Sequence, residues 1–500
     1  MRNLRYGSII LIGGLSGDKF LHYLFDLTTT AQWQGAAVGI VRVEQELARR
    51  GRHHLGNNLA FCIYDRAQSV VRILEDELAD DLIGGRVRVD FVEQPDSVPP
   101  SPPVVRSSLR RLIRAALLRN STVYYMAQRM RGSHLTREQV LNIRARELGQ
   151  TTAEQVLEAT AIAPGQSEAI PLEQLRHRPT QLDTQTTIIS GGLDWQYKDL
   201  RALWALKQRH GFSYCAIVYD LIPLRFPHFV PSSYVELLTE YFGELTWLAD
   251  HAMCISETTK QDWVRHACEI GAEPTPSSVF PLGCDIPRNA KSLPSQLPSA
   301  LHGKQFAMYV STIEPRKNHR MLYEAWEECV RTGQVDPTQH RLVFVGRKGW
   351  LFGDMLHQIE TNPLTRDTIV LLHETSDEVL ASLYQACSFV VFPTLYEGFG
   401  LPLAEALANG KLCVASNAAA LSEIGGDLIM KLDPKDTIAW SNTIGRLMSS
   451  PSEVRAWEDC IKRHYRPTTW DNAARIFFNT VSAFSCGRRS VASSPVFALQ

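Results

Sequence analysis

The stretch Phe389-Val-Val-Phe-Pro-Thr-Leu-Tyr-Glu397-Gly-Phe-Gly400-Leu-Pro-Leu-Ala-Glu405-Ala-Leu-Ala-Asn-Gly410 decides how the chain is read. Phe389–Phe392 is an unbroken apolar run, the pattern of a strand covered on both faces. Pro393 ends it. Gly398 and Gly400 let the backbone approach a ligand closely, Pro402 suits the first turn of a helix, and Gly410 suits its stop. A strand, a glycine turn and a helix in this order place backbone N–H groups and a helix N-terminus at one end of a sheet, a good site for a phosphate. Glu397 and Glu405 flank the turn. Facing one pocket they offer acceptors to sugar or ribose hydroxyls; the alternative is two surface glutamates around a capped helix.

The same beat extends outward. Strands are predicted at Phe306–Ser311, Leu342–Gly346, Thr368–Leu372, Leu412–Ala415 and Leu428–Leu432. Between them lie amphipathic helices such as Met321–Val330 and Asp377–Ala386, with apolar residues recurring at three and four. This is the signature of an α/β domain with a doubly wound parallel sheet. The first half repeats it less cleanly, with strands predicted at Leu59–Tyr64, Val87–Val92, Thr187–Ser190, Tyr214–Tyr219, Ala252–Ile255 and Val279–Leu282. A helix from Gly39 carries Ile40, Val43 and Leu47 on one face and is expected to stop at Gly51. The Pro/Ser-rich run from Ile286 to Pro298 reads as a linker. A cleft between two such domains, at the carboxyl ends of the strands, is where a ligand belongs.

Composition bounds the rest. Five hundred residues suggest two or three domains, and 44% hydrophobic with 21% charged residues is globular composition. Lys plus Arg total 52 against 53 acidic residues, a net charge of -1 that argues against bulk nucleic-acid binding. No apolar run approaches the ~20 residues of a membrane span, and the apolar piece Ile9–Ile12 has no cleavage site after it. The ten cysteines are scattered singly, as thiols of a reducing, cytoplasmic compartment are. One segment breaks the pattern. Residues 97–137 hold eight arginines, among them Arg106, Arg110, Arg111, Arg114, Arg119, Arg129 and Arg131, and no acidic residue. Leu109–Arg119 is predicted as a basic amphipathic helix, suited either to an anionic membrane surface at the inner face of the plasma membrane or to packing as a solvated insertion.

Upstream of the deciding stretch, the strand Phe306–Ser311 runs into Thr312-Ile-Glu-Pro-Arg316-Lys317-Asn318. An Arg-Lys pair at a strand end, aimed into the cleft, would neutralise a diphosphate. The chain has no Asp-x-Asp motif to hold a divalent ion, so the basic pair is the natural substitute.

These two motifs together resemble the donor domain of family 4 retaining glycosyltransferases of the GT-B fold, two Rossmann-like domains facing across a cleft. The resemblance runs from Tyr309 to about Leu447. Phe25-Asp26-Leu-Thr, Val38–Glu44, Val218-Tyr-Asp-Leu-Ile-Pro223, Cys254–Thr258 and Leu282–Asp285 add to it, and the nearest pattern is that of bacterial mannosyltransferases that build O-antigen, capsule or exopolysaccharide. It implies a first, acceptor-side domain over 1–290 with a basic insertion around 97–180, and a nucleotide-sugar donor domain over 301–465. A terminal helix over 466–485 crosses back to the first domain, before a disordered tail over 486–500. It implies that Arg316 and Lys317 bind the diphosphate, that Glu397 contacts the donor sugar, and that Gly398, Phe399, Gly400 and Leu401 hold sugar and phosphate. Glu405 would bind the ribose, Gly39 would let the first domain close over the donor, and Asp220 would sit near the reacting centre. Tyr219 stands where many relatives carry His, so a base there stays open against a plain core role. The implied reaction retains configuration, needs no metal or other cofactor, and uses a nucleotide-diphosphate sugar, first of all GDP-mannose, with a glycan or lipid-linked oligosaccharide as acceptor. An inactive scaffold of the same fold is the alternative. An epimerase would need acid/base residues that the sequence does not offer.

Overall fold

The computed structural model describes residues 22–33, 39–91, 168–175, 178–179, 182–284, 297–350, 353–373, 375–418 and 420–492. The Ile9–Ile12 piece, the arginine-rich segment 97–137, the linker as far as residue 296 and the last eight residues lie outside them.

The second domain is a six-stranded, all-parallel sheet. Its strands are β11 (Gln305–Val310), β12 (His340–Val345), β13 (Ile369–Leu372), β14 (Phe389–Phe392), β15 (Cys413–Ser416) and β16 (Met430–Leu432), in the spatial order β13-β12-β11-β14-β15-β16. Counted from β11 this is 3-2-1-4-5-6, the order of nucleotide-binding sheets, and its direction of winding switches between β11 and β14. The strands are apolar because both faces are covered: Phe306, Met308, Leu342, Phe344, Val390 and Val414 all lie in one core. Helix His319–Arg331 covers one face with Leu322, Ala325, Trp326 and Cys329, the three-and-four spacing of its sequence.

The first domain has an eight-stranded sheet. Its strands are β1 (Tyr23–Asp26), β2 (Leu59–Asp65), β3 (Val70–Ile73), β6 (Arg178–Pro179), β7 (Thr187–Ser190), β8 (Ser213–Val218), β9 (His251–Cys254) and β10 (Ser277–Val279), ordered β10-β9-β8-β7-β1-β2-β3-β6. β4 (Val87–Asp90) and β5 (Glu168–Pro171) pair in a separate two-stranded sheet, so the strand expected at Val87–Val92 is not part of the main one. β3 runs antiparallel to β2, and β6 antiparallel to β3; the sheet is parallel only from β2 to β10. The buried Arg72–Asp65 ion pair, 2.5 Å, fixes that hairpin edge.

Two helix ends differ from expectation. The helix beginning at Gly39 runs to Leu55, through Gly51. Gly51 is not a stop but a contact: a Cβ there would lie 2.6 Å from Leu59 and 3.2 Å from Phe478. The terminal helix runs Trp470–Ala492, past the end expected at 485 and into the tail read as disordered. A lone glycine such as Gly487 costs a helix only about 1 kcal/mol, too little to stop it. Trp470, Ala473, Ala474, Phe477, Phe478 and Val481 enter the core of the first domain beside Phe25, Leu47 and Phe280. The chain thus closes on its starting domain.

Candidate active site

Both motifs read from the sequence sit at the switch point of the second sheet. β11 ends at Val310 and leads to Arg316 and Lys317; β14 ends at Phe392 and leads to Glu397. Because these strands are hydrogen-bonded neighbours, the two loops meet. Arg316 Nη1 lies 2.8 Å from Glu397 Oε2, and Arg316 Nη2 lies 2.6 Å from Glu314 Oε1. Lys317 Nζ lies 2.5 Å from Glu397 Oε1, which also accepts from the Thr394 hydroxyl at 3.0 Å. Backbone bonds lock the loops together: Arg316 Nη1 donates to the Tyr396 carbonyl at 2.7 Å, and Leu395 N to the Arg316 carbonyl at 2.9 Å. Asn318, left-handed at φ 60°, donates its amide to the carbonyls of Pro393 and Pro434 at 3.1 and 2.8 Å.

Burial sharpens the charges. For Glu397 burial works to raise the pKa, but Arg316 and Lys317 outweigh it and hold the carboxyl down at about 2. Burial, then the adjacent Arg316 charge, push Lys317 below its ordinary value. For Arg316 burial is overcome by Glu397, Glu314 and Asp220, so its pKa rises. Two buried cations are kept charged here by buried carboxylates, an arrangement stable only while every member is paired.

Residues 297–464 match the family profile described as Glycosyl transferases group 1. The match spans all six strands of the second domain. Relatives agree. A serotype-specific mannosyltransferase WbdA of Escherichia coli is 33% identical over 218 residues, 40% of this chain and 25% of that one. The O-antigen chain mannosyltransferase B of Escherichia coli is 30% identical over 225 residues, 45% of this chain and 58% of that one. The chain therefore spans a quarter of the first relative's length and just over half of the second's. Among solved structures, Anabaena HepE in complex with UDP and glucose is similar with a TM-score of 0.49 and 15% identity, covering 94% of this chain and 99% of that one.

The first domain faces the second across a cleft. A cavity of about 170 Å³ is walled there by Tyr219, Asp220, Trp195 and Tyr241 on one side and Glu314, Arg316 and Trp350 on the other. Asp220, after β8, accepts from Ile222 N at 3.1 Å; burial raises its pKa against the pull of Arg316. Tyr219 donates its hydroxyl to the Gly191 carbonyl at 2.5 Å, and burial pushes its pKa well up. Gly39 opens its helix at φ 52°, a left-handed conformation that favours glycine, with open space where a Cβ would be.

Glu405 lies apart from the Glu397 cluster. Its carboxylate is 3.7 Å from Arg42 of the first domain and 3.4 Å from the Tyr384 hydroxyl, and burial raises its pKa against Arg42. Gly400, at φ 108°, caps the helix Leu401–Ala408, and Leu401 is its first residue. Phe399 and Leu401 pack against the first domain's core, and the Gly398 carbonyl is held by Ser256 of that domain at 2.6 Å. Glu314, Thr394, Asn318, Arg42 and Ser256 are the contributors that sequence reasoning left without a role. Glu314 and Asn318 bracket the basic pair and were within reach of it. Arg42 and Ser256 act across the cleft, which no local pattern announces.

Proposed function

We propose that this chain is a retaining glycosyltransferase that moves a sugar, first of all mannose from GDP-mannose, to a hydroxyl of a growing surface glycan carried on a lipid. The observation that carries the reading is the Arg316–Lys317–Glu397 cluster, a buried pair of cations at the switch point of a group 1 glycosyl transferase domain, opposite Asp220. The family match and the mannosyltransferase relatives support the choice of sugar. In the structure Glu397 pairs with both cations, and Glu314 pairs with Arg316 as well. A donor diphosphate, with more charge than one carboxylate, takes the place of Glu397 on Arg316 and Lys317, and Glu397 turns to the sugar hydroxyls.

In the proposed reaction the acceptor oxygen attacks the anomeric carbon on the face from which the diphosphate leaves. The bond from carbon to acceptor oxygen forms, the bond to the diphosphate oxygen breaks, and the acceptor's proton passes to that departing oxygen. Arg316 and Lys317 stabilise the growing charge in a dry site, where fixed charges act most strongly. No metal is needed in this scheme. Glu405 holds the ribose once Arg42 yields, and Asp220 orients the acceptor hydroxyl.

The test is a thermal-shift panel of GDP-, UDP-, dTDP- and ADP-sugars with and without EDTA, followed by turnover of the donor that binds. A ligand at 100 times its Kd adds ~2.7 kcal/mol, readily seen. Stabilisation by a GDP-sugar, indifferent to EDTA, is the expected result. Lys317→Ala should then lower kcat by about 10²–10³ in a folded protein, the usual loss for one charge-stabilising group. Full activity in that variant overturns the leaving-group role. Donor binding without turnover would instead favour an inactive scaffold.

A further inference from the structure

The helix Glu257–Glu269 belongs to the first domain yet grips the donor loop of the second. Ser256, its N-cap, accepts from Thr259 N at 3.0 Å and donates to the Gly398 carbonyl at 2.6 Å. The Thr259 hydroxyl lies 3.3 Å from the same carbonyl and 3.1 Å from that of Tyr219. Asp262 accepts from the Tyr396 hydroxyl at 2.6 Å. Residues 256, 259 and 262 recur every three positions and fall on one side of the helix. Their partners, Tyr396 and Gly398, are the two neighbours of Glu397. At the same helix start, Glu423 of the second domain accepts from the backbone N–H of Glu257 at 2.9 Å and of Thr258 at 2.8 Å, and from the Thr258 hydroxyl. A carboxylate at a helix N-terminus satisfies two orphan donors and the positive end of the dipole. The approach is close enough to demand glycine: a Cβ on Gly398 would lie 2.5 Å from the Tyr219 carbonyl and 2.9 Å from Asp220 Cβ.

We propose that Ser256, Thr259 and Asp262 are positioning residues for Glu397, so that its place between the cations and the donor is set by closure of the first domain and not by the second domain alone. The proposal rests on the transfer reading above for its chemical consequence. Within the second domain Glu397 is tethered by its side chain to Arg316, Lys317 and Thr394. Arg316 and Lys317 are the partners that a diphosphate competes for. The Tyr396 side chain before Glu397 and the Gly398 carbonyl after it are held from the other domain, and these holds survive the exchange. Once the donor has displaced the carboxylate from its cations, the cross-cleft bonds keep Glu397 aimed at the sugar. With the cleft open, nucleotide can still bind the cations, but Glu397 is free to swing.

The experiment compares Thr259→Val and Ser256→Asp with wild type. The first removes a hydroxyl at constant shape. The second keeps the helix cap but puts an acceptor where the Gly398 carbonyl needs a donor. Ser256→Thr, which keeps cap and donor, is the rescue control. Hydrogen exchange of the unliganded protein should show lost protection over residues 395–400 in the two disabling variants, with protection over 260–269 kept. Transfer kinetics should show kcat lower by about 10²-fold, the loss expected of a misplaced group, with the Kd of free GDP unchanged, and Ser256→Thr close to wild type in both. Unchanged protection over 395–400 overturns the proposal whatever the rates do, and so does wild-type kcat in both disabling variants. If wild type binds no nucleotide and turns over no donor, the transfer reading fails, and the exchange measurement still decides the positioning.

Discussion

Glu44 is a buried carboxyl with no direct cation among the described residues, and its protonation can be measured. It sits on the helix Gly39–Leu55 and accepts from Thr30 N at 2.8 Å. Burial lifts its pKa to about 8; the Thr30 hydrogen bonds and Lys198 oppose the rise, and Asp26 adds to it. The folded protein therefore keeps a proton that the unfolded chain releases near 4.5. Between those two values the unfolded state binds fewer protons, so stability falls as pH rises, by up to about 1.4 kcal/mol per pH unit. Glu44→Gln carries a permanent neutral group of the same shape. Urea unfolding from pH 5 to 8.5 should show a flatter stability profile in Glu44→Gln, with the variant's advantage growing toward pH 8.5; parallel profiles would refute the assignment. The three-and-four spacing puts Glu44 on the apolar face between Ile40 and Leu47, but nothing in the sequence says what its carboxyl meets there. Nor does the sequence mark Lys198, which lies buried 2.9 Å from Asp26 and 2.8 Å from Asp194; its partners come from separate strand ends. Arg316, Lys317 and Glu397 were legible because each follows directly on an apolar strand, and adjacency in the sheet then brings the loops together.

At the scale of elements, the second domain was readable because strands covered on both faces are continuously apolar and their helices repeat at three and four. The first domain hid more. β1 is four residues long, β6 is two, and the β2–β3 hairpin breaks the parallel rule at the sheet's edge. Gly51 shows why a glycine is ambiguous: its φ is helical, and what requires it is the approach of Leu59 and Phe478. Two effects compete when it is replaced. A better helix former gains at most about 1 kcal/mol over glycine, whereas forcing a side chain into a packed contact costs about 1–3 kcal/mol. For Gly51→Leu the contact term wins, since the first added carbon already meets Leu59. Its Tm should fall, and the terminal helix, pushed off at Phe478, should lose exchange protection before β1 and β2 do. A Tm at or above wild type would mean that the helix shifts without cost.

At the scale of the whole molecule, the two sheets present their switch points to one cleft but treat them differently. In the first domain the carboxyl ends of β1 and β7 are filled by the chain's own Asp26, Lys198 and Asp194. In the second domain, the ends of β11 and β14 lead to cations paired with Glu397 and Glu314. On the proposed reading this asymmetry gives the donor to the second domain and leaves the first to close, to supply Ser256, Asp220 and Arg42, and to receive the acceptor. The terminal helix ties the two together. It starts from the second domain, yet Trp470, Phe477 and Phe478 lie in the core of the first. At about 1.5–3 kcal/mol each, these three side chains approach the ~5–15 kcal/mol net stability of a domain. The core of the second domain contains no residue beyond Ile461, with Tyr465 packed against it. A chain ending at residue 468 should therefore keep exchange protection in β11–β15 and lose it in β1, β2 and β7. It should still bind the nucleotide that stabilises the full-length protein and should transfer no sugar. Retained protection in β1 and β2 would mean that the first domain stands without the helix, and that the crossing serves only to limit how far the cleft can open.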